Sequence, residues 1–269
     1  MPEYRVAIAG LGTIGLKVAE AIDRGDLPGL SLTAVSAKNH ARAAENLKNF
    51  RAIPAIVSLG ELAELADVVV ECSPAEVFAQ CADAAIARGL IFITVSAGAL
   101  LKRVDLISHA EKTGAQIIVP TGALIGLDAV RAAAEGQITS VTHCVRKPGA
   151  SLKGAPYIEQ NNINLDNLAT AMRLFKGSAR EAAKGFPANV NVSAALGLAG
   201  VGADETNVEI WADPDIDRNI HEVFVEADSA RFSMKIENVP SKNAATGKIT
   251  ALSVIAALRR LTAPLVIGT

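Results

Sequence analysis

The sequence predicts an α/β protein: a Rossmann-type doubly wound parallel sheet, followed by a second α+β domain built on a mostly antiparallel sheet. Three observations favour this fold class. Strand-like and helix-like segments alternate through the first 120 residues, several of these strands are continuously apolar, and longer alternating runs replace them after Pro120. Continuous apolar strands are typical of parallel sheets covered on both faces, whereas alternation is typical of antiparallel sheets.

The first domain is predicted over residues 1–119, where short loops connect strands and helices in turn. The predicted strands are Arg5–Ala9, Leu30–Ser36, Ala55–Ser58, Asp67–Glu71, Ile91–Val95 and Gln116–Val119. The predicted helices are Gly15–Arg24, Ala41–Phe50, Glu61–Leu65, Ala75–Arg88 and Lys102–Thr113.

The second domain is predicted over residues 120–244, as a substrate, catalytic and oligomerisation domain. Its predicted strands are Ile138–Arg146, Ala171–Phe175, Asn207–Ala212, Ile220–Ala227 and Ala230–Glu237. Its predicted helices are Ala123–Glu135, Ala179–Lys184 and Val192–Leu198. A last helix, Gly247–Leu261 within the segment 245–269, is expected to complete the first domain.

Composition narrows the function classes. The 269 residues carry a net charge of −2, and 50% are hydrophobic but only 4% aromatic, so the core is aliphatic. Near-neutral charge argues against nucleic-acid partners and a membrane surface, and no apolar stretch is long enough to cross a bilayer. Three cysteines without a CxxC pattern are typical of buried thiols in a reducing compartment. We expect a cytoplasmic protein without a bound metal.

A glycine motif, G10-L-G-T-I-G15, stands between the first strand and the first helix. In this strand–turn–helix context G-x-G-x-x-G predicts a dinucleotide site. Gly10 permits the tight turn, Gly12 lets the backbone approach a diphosphate, and Gly15 lets helix and strand pack closely. With Thr13 and Ile14 these residues are predicted to bind the cofactor at the helix N-terminus. The alternative is an ordinary glycine-rich turn.

The end of the second strand bears on the choice of cofactor. An NAD-selective site usually places a carboxylate there for the ribose 2′-OH, but this region reads A34-V-S-A-K-N-H40 and has none. Lys38 is predicted to attract a 2′-phosphate, so we expect NADP to be accepted alongside NAD. Alternatively, Lys38 and Arg42 are solvated surface charges.

Small residues follow the fourth and fifth strands. Ser73, Ser96 and Ala97 are predicted to contact the nucleotide, because ligands of parallel α/β sheets bind outside the carboxyl ends of strands. Tight turns explain the same composition without a ligand.

Several polar segments recur in order along the second half: Pro120-Thr121-Gly122-Ala123-Leu124, Arg146-Lys147-Pro148, F186-P-A-N-V-N-V-S193, N219-I-H-E222 and N243-A-A-T-G-K-I-T-A251. With these segments the chain resembles the L-aspartate dehydrogenase family over essentially its whole length. That resemblance implies oxidation of L-aspartate through iminoaspartate to oxaloacetate and ammonia. A hydride passes from substrate C2 to C4 of the nicotinamide of NAD or NADP, and released iminoaspartate can feed NAD biosynthesis.

The resemblance also assigns residues. Ala123 and Asn191 match positions that touch the dinucleotide, and His221 matches the catalytic histidine; Asn189 is interpreted as a helix cap. The chain departs from the family at N243-A-A-T246, where a cation is usual. Lys248, Lys242 or Lys147 are candidates to replace it.

His221 follows a polar run, D213-P-D-I-D-R-N-I-H-E222, and neighbouring carboxylates are expected to raise its pKa and orient its ring. Of the other histidines, His40 and His109 are interpreted as surface residues and His143 as a residue of the core or sheet face. Arg146 and Lys147 suit a substrate carboxylate, but solvated strand-end charges are an equal alternative.

Two other functions stay open. One is a dehydrogenase or reductase for another imine or keto acid, and the other is a non-catalytic NAD(P) sensor. The exposed face expected for the antiparallel sheet predicts a homo-oligomer, with a dimer favoured.

Overall fold

The computed structural model describes residues 3–166, 168–187, 191–241 and 247–268. Two compact units are distinguished: unit 1 holds the described residues of Met1–Pro120 and Thr250–Val266, and unit 2 those of Thr121–Ile249 and 267–268. Over the described ranges, no helix has the length and apolar character needed to cross a membrane.

Unit 1 is built on a six-stranded parallel sheet whose order is β3-β2-β1-β4-β5-β6. The strands are β1 (Tyr4–Ala9), β2 (Leu30–Ser36), β3 (Ala55–Ile56), β4 (Val68–Glu71), β5 (Ile91–Thr94) and β6 (Gln116–Ile118). The order reverses between β1 and β4, which is the point at which doubly wound sheets bind ligands outside the carboxyl ends of their strands.

Five helices connect these strands: α1 (Thr13–Asp23), α2 (His40–Leu47), α3 (Phe78–Ala87), α4 (Ala97–Leu100) and α5 (Asp105–Thr113). Two segments predicted as helix, at Glu61 and at Ala75, form short 3-10 turns at Glu61–Glu64 and Ala75–Val77. The four-residue α4 falls outside the predicted helices, and the predicted helix at Lys102 begins only at Asp105.

Unit 2 is built on a five-stranded sheet whose order is β11-β10-β7-β9-β8. The strands are β7 (Ile138–Lys147), β8 (Met172–Ser178), β9 (Thr206–Ala212), β10 (Asn219–Ala227) and β11 (Arg231–Asn238). β7 and β9 pair in parallel, and every other pairing among these strands is antiparallel. The predicted fold class is therefore confirmed for both sheets.

The helices of unit 2 are α6 (Leu127–Ala134), α7 (Pro156–Gln160), α8 (Ala179–Gly185) and α9 (Asn191–Ala199). The predicted helix at Ala123 begins four residues later, because Gly126 adopts a left-handed conformation with φ +67° before α6. Neither α7 nor the 3-10 turn at Gly149–Leu152 was predicted, since their sequences lack a helical period.

A last helix, α10 (Lys248–Arg260), supplies Val254 and Leu258 to the core of unit 1. There these side chains share one buried aliphatic cluster with Val6, Ile8 and Val18. Burying side chains of this size stabilises the unit by roughly 1.5–3 kcal/mol each.

Candidate active site

The glycine turn of unit 1 is tight at two of its three glycines. Gly10 has a φ of +92°, and a Cβ on it would lie 2.6 Å from the carbonyl oxygen of Cys72. A Cβ on Gly15 would lie 1.9 Å from the carbonyl oxygen of Gly10. Neither position therefore accepts a side chain without a backbone shift. At Gly12, by contrast, a Cβ would meet no atom within 4 Å.

Gly12 is the N-cap of α1, and no side chain caps this helix end. The first turn of α1 contains no acidic residue. Free N–H groups and the positive end of the helix dipole favour an anion at this position. Thr13 is exposed and Ile14 packs on the aliphatic core. The residues present therefore fit the diphosphate of a dinucleotide, because space is open at the one glycine predicted to face it.

The residues after β2 lie at the surface. Lys38 is exposed in the turn before α2, Arg42 is exposed within α2, and Asn39 caps that helix by accepting a hydrogen bond from the Arg42 N–H. Ser36 is buried, and its carbonyl accepts a hydrogen bond of 2.8 Å from the Gly10 N–H. The end of β2 is thereby attached to the glycine turn.

The ends of β4 and β5 are joined by a fully buried carboxylate, that of Glu71. Its Oε1 accepts hydrogen bonds from the N–H and the hydroxyl of Ser73 at 2.9 and 2.8 Å, and from the Ser96 hydroxyl at 3.2 Å. Its Oε2 accepts from the Thr94 hydroxyl at 2.6 Å. The structure therefore brings the predicted residues Ser73 and Ser96 together, with Ala97 buried beside Ser96.

Sequence reasoning missed this role of Glu71. The signal was a carboxylate that ends an apolar strand two residues before a serine. The carboxylate also affects the nearby thiols: burial first, and then the charge of Glu71, raises the pKa of Cys72 well above its usual range and that of Cys81 to about 12.

The inner face of the unit 2 sheet carries three basic side chains among valines. Val141, His143, Val145 and Lys147 alternate along β7 and are all buried. On the neighbouring strand His221 pairs with Val145 and Val223 with His143, so His221 lies diagonally across from His143.

The two imidazoles are in direct contact. His143 Nε2 lies 3.1 Å from His221 Nδ1, and the rings stack with centroids 5.2 Å apart. The other nitrogen of His143, Nδ1, lies 2.9 Å from the Ser193 hydroxyl at the start of α9. Ser193 and His143 are both fully buried. A hydrogen-bonded chain therefore runs from α9 through β7 to His221.

The expected effect on the pKa of His221 was wrong. Burial, followed by the proximity of His143 and Lys147, lowers the pKa of His221 well below its ordinary value. Burial also lowers the pKa of His143 to about 3. The carboxylates of the 213–217 run do not raise the pKa of His221, because β10 turns its side chain toward the basic face. Both imidazoles are neutral at physiological pH.

Lys147 and Arg146 are neighbours in sequence but lie on opposite faces of β7. The Arg146 guanidinium lies over the Trp211 ring, 4.9 Å from its centroid, and 3.5 Å from the Asp213 carboxylate. Lys147 is buried, and burial lowers its pKa to about 8. Of the two candidate anchors, Lys147 shares the face of His221.

The remaining predicted residues lie elsewhere in the two units. Ala123 lies in a turn, where its carbonyl accepts a hydrogen bond of 2.8 Å from the buried Asn238 amide. Asn191 is exposed at the first position of α9, and Lys248 is exposed at the first position of α10. Asn189, Lys242 and the departing segment 243–246 lie outside the described residues. His40 is exposed and His109 half-buried, both in unit 1.

Fold and glycine turn place the chain in the class of dinucleotide-binding α/β proteins. Residues 10–120 match the family described as homoserine dehydrogenase, NAD binding domain, and residues 128–261 match aspartate dehydrogenase, C-terminal. An L-aspartate dehydrogenase of Bradyrhizobium diazoefficiens is 55% identical over 267 residues, covering 99% of this chain and 95% of the relative. The chain belongs to the L-aspartate dehydrogenase family.

Two further comparisons agree. L-aspartate dehydrogenase 3 of Bordetella bronchiseptica is 48% identical, covering 99% of this chain and 98% of the relative. The crystal structure of aspartate dehydrogenase from Thermotoga maritima superposes with a TM-score of 0.74 at 25% identity, covering 99% of this chain and all of that chain. The resemblance inferred from the sequence is confirmed.

Proposed function

We propose that this protein is an NAD(P)-dependent L-aspartate dehydrogenase that oxidises L-aspartate to iminoaspartate, whose hydrolysis gives oxaloacetate and ammonia. The observation that carries the proposal is the buried basic face of unit 2, where His221, His143 and Lys147 lie together. A dicarboxylate requires cations, and an imine hydrolysis requires a proton acceptor. Relatives of 55% and 48% identity that are L-aspartate dehydrogenases support the same reaction.

The cofactor is NAD or NADP, which supplies the hydride-accepting chemistry when bound. The residues that would hold it are Gly10, Gly12, Thr13, Ile14, Gly15, Lys38, Ser73, Ser96 and Ala97 of unit 1, with Ala123 and Asn191 of unit 2. Open space at Gly12 and the uncapped N-terminus of α1 support this assignment.

His221 acts as the catalytic base. As a neutral imidazole it accepts a proton from water while the hydroxide adds to C2 of iminoaspartate. That proton then returns to the nitrogen, which gives the neutral carbinolamine. His221 next moves the hydroxyl proton to the same nitrogen, the C2–N bond breaks, and ammonia leaves as the C2 carbonyl of oxaloacetate forms. Burial lowers the pKa of His221, so its ring is neutral and keeps a free lone pair.

Lys147 anchors a substrate carboxylate. A buried ammonium binds a carboxylate more strongly than an exposed one, because less water competes. Its place on the face that carries His143 and His221 supports this role, whereas Arg146 is paired with Trp211 and Asp213 on the opposite face.

A screen of L-amino acids for NAD(P)H formation, run with both cofactors at mildly alkaline pH, tests this function. We expect turnover with L-aspartate and at most trace rates with other amino acids. Faster turnover of another amino acid would mean that this amino acid, and not L-aspartate, is the substrate. If the protein binds the nucleotide but turns over none of the amino acids, the alternative function of a non-catalytic NAD(P) sensor is favoured.

His221→Gln is the companion variant. Loss of the base should lower kcat by about 10²- to 10⁴-fold, the usual contribution of a general base, and leave cofactor affinity unchanged. Asn39→Ala, a helix-cap change in unit 1, is the control for nonspecific loss of activity. Near-native turnover of His221→Gln would overturn the role of His221.

A cytoplasmic location, a homodimer and a supply of iminoaspartate to NAD biosynthesis complete the proposal. Aromatic side chains on the outer face of the unit 2 sheet, among them the exposed Phe224, support self-association. Light scattering of the purified protein gives the number of subunits.

A further inference from the structure

His221 is held by two residues that the proposed reaction does not use. His143 comes from β7 and Ser193 from α9, and both are fully buried. One hydrogen is shared between His143 Nε2 and His221 Nδ1, so one ring donates and the other accepts. The bond on one nitrogen of an imidazole decides which tautomer it adopts. The identity of the donor therefore decides whether His221 Nε2 carries a proton.

We propose that His143 is a positioning residue, which accepts a hydrogen bond from His221 Nδ1 and thereby leaves His221 Nε2 unprotonated, as a base requires. In this arrangement His143 Nδ1 donates to the Ser193 hydroxyl, which holds the His143 ring from its other side. The inference rests on the proposed function of His221 as the base.

The direction of the hydrogen bonds that link Ser193, His143 and His221 supports this arrangement. When His221 accepts a proton at Nε2, its Nδ1–H still donates to His143, so no hydrogen bond has to reverse during the reaction. The opposite polarity would place a hydrogen on His221 Nε2 and require a reversal of two bonds before each turnover. Burial first, and then the positive charge of Lys147, lowers the pKa of His143, so this ring is neutral and able to accept.

The tautomer is measured by ¹⁵N NMR of the full chain labelled at histidine, whose sequence contains four histidines. We expect the native His221 to be protonated at Nδ1. In His143→Leu the acceptor is absent and His221 should change to the Nε2–H tautomer, while His143→Gln, whose amide oxygen can accept, should retain Nδ1–H. His40 and His109 are internal controls, since both lie in unit 1.

Kinetics of the same variants separate positioning from folding. His143→Leu should lower kcat by about 10- to 100-fold, as is usual when an outer partner of a functional histidine is removed, with an unchanged KM for the cofactor. His143→Gln should recover kcat to within about fivefold, and Ser193→Ala should fall between the two.

A native His221 protonated at Nε2 would overturn the inference, however the variants fold. So would a folded His143→Gln no more active than His143→Leu. Failure of the proposed function is a separate result: a chain that does not oxidise aspartate would still show the tautomer of His221.

Discussion

The strand ends of unit 1 and the inner sheet face of unit 2 both bury polar groups, but they satisfy them in different ways. At the strand ends, the Glu71 carboxylate accepts hydrogen bonds from Ser73, Thr94 and Ser96. On the sheet face, burial shifts the pKa of His143, Lys147 and His221 downward.

This difference assigns different tasks to the two regions. A carboxylate with satisfied oxygens fixes backbone loops and has little left to offer a reaction. Basic groups whose pKa values are lowered by burial are held in their neutral or readily deprotonated forms, which suits proton transfer. In unit 1 the buried carboxylate therefore holds two strand ends together, whereas the inner sheet face of unit 2 carries buried basic groups.

In unit 1 the largest effects on cofactor binding and folding are expected from two glycine variants. Gly12→Ala adds a methyl group in open space at an extended backbone conformation, with φ −86°. We expect the fold to be kept and cofactor affinity to fall by about 10- to 100-fold, because each lost hydrogen bond to a charged phosphate is worth about 1.5–3 kcal/mol. Calorimetric titration with NAD and NADP measures the change.

Gly10→Ala is the matched variant with the opposite outcome. Its methyl group would lie 2.6 Å from the Cys72 carbonyl oxygen at a φ of +92°. We expect a lower thermal midpoint or insoluble protein rather than a folded chain with weak binding. Native cofactor affinity in Gly12→Ala would contradict the assignment of the diphosphate to this turn.

Much of unit 1 is predictable because its signals are local. The glycine turn occupies six adjacent residues, and each apolar strand is a continuous run, so the strands begin or end within two residues of prediction. Glu71 was missed because two of its partners, Thr94 and Ser96, lie 23 and 25 positions away.

The buried basic face of unit 2 depends on strand register, which sequence reasoning did not provide. His143 and His221 are 78 positions apart and meet because β7 and β10 pair in one particular register. The alternation of Val141, His143, Val145 and Lys147 was a usable signal, since side chains of equal parity share a face. This alternation places Lys147 and Arg146 on opposite faces of the strand. The pKa error had a different cause: burial outweighed the acidic neighbours in the sequence.

Lys147→Met tests whether the buried ammonium of unit 2 binds the substrate. Methionine fills a similar volume without the charge, so we expect the KM for aspartate to rise by about 10- to 100-fold, the equivalent of one lost charge-assisted hydrogen bond. The KM for the cofactor should not change. Arg146→Met is the matched control, because its guanidinium lies on the opposite face, and its KM should stay within about threefold.

The pH dependence of the KM for aspartate tests the same role of Lys147. Burial lowers the pKa of Lys147 to about 8, so its ammonium is present below that pH and is lost above it. The KM of the native chain for aspartate should therefore rise above about pH 8. This rise in KM above about pH 8 should be absent in Lys147→Met. A KM that rises equally in both chains would locate the titrating group elsewhere.

Glu71→Gln tests whether the buried carboxylate is structural. A carboxamide replaces one accepting oxygen by a donor, so at least one hydroxyl loses its acceptor, and we expect about 1–3 kcal/mol of destabilisation. Urea unfolding followed by circular dichroism measures it. Glu64→Gln, at the exposed pair with Arg88, is the control and should change stability by about 0–1 kcal/mol. Equal effects would contradict the structural role.

The smallest expected effect is at Lys38, where the surface of unit 1 bears on the choice between NAD and NADP. Its ammonium is exposed, so attraction to a 2′-phosphate is screened and is worth about 0.5–1 kcal/mol, or roughly two- to fivefold in affinity. Lys38→Ala should lower kcat/KM for NADP by that factor and leave NAD unchanged. Lys48→Ala, an exposed lysine already paired with Glu45, should leave the ratio of the two cofactors unaltered. Because the effect is electrostatic, it should also shrink as salt is added. A ratio that moves equally in both variants would mean that the general surface charge, and not Lys38, attracts the phosphate.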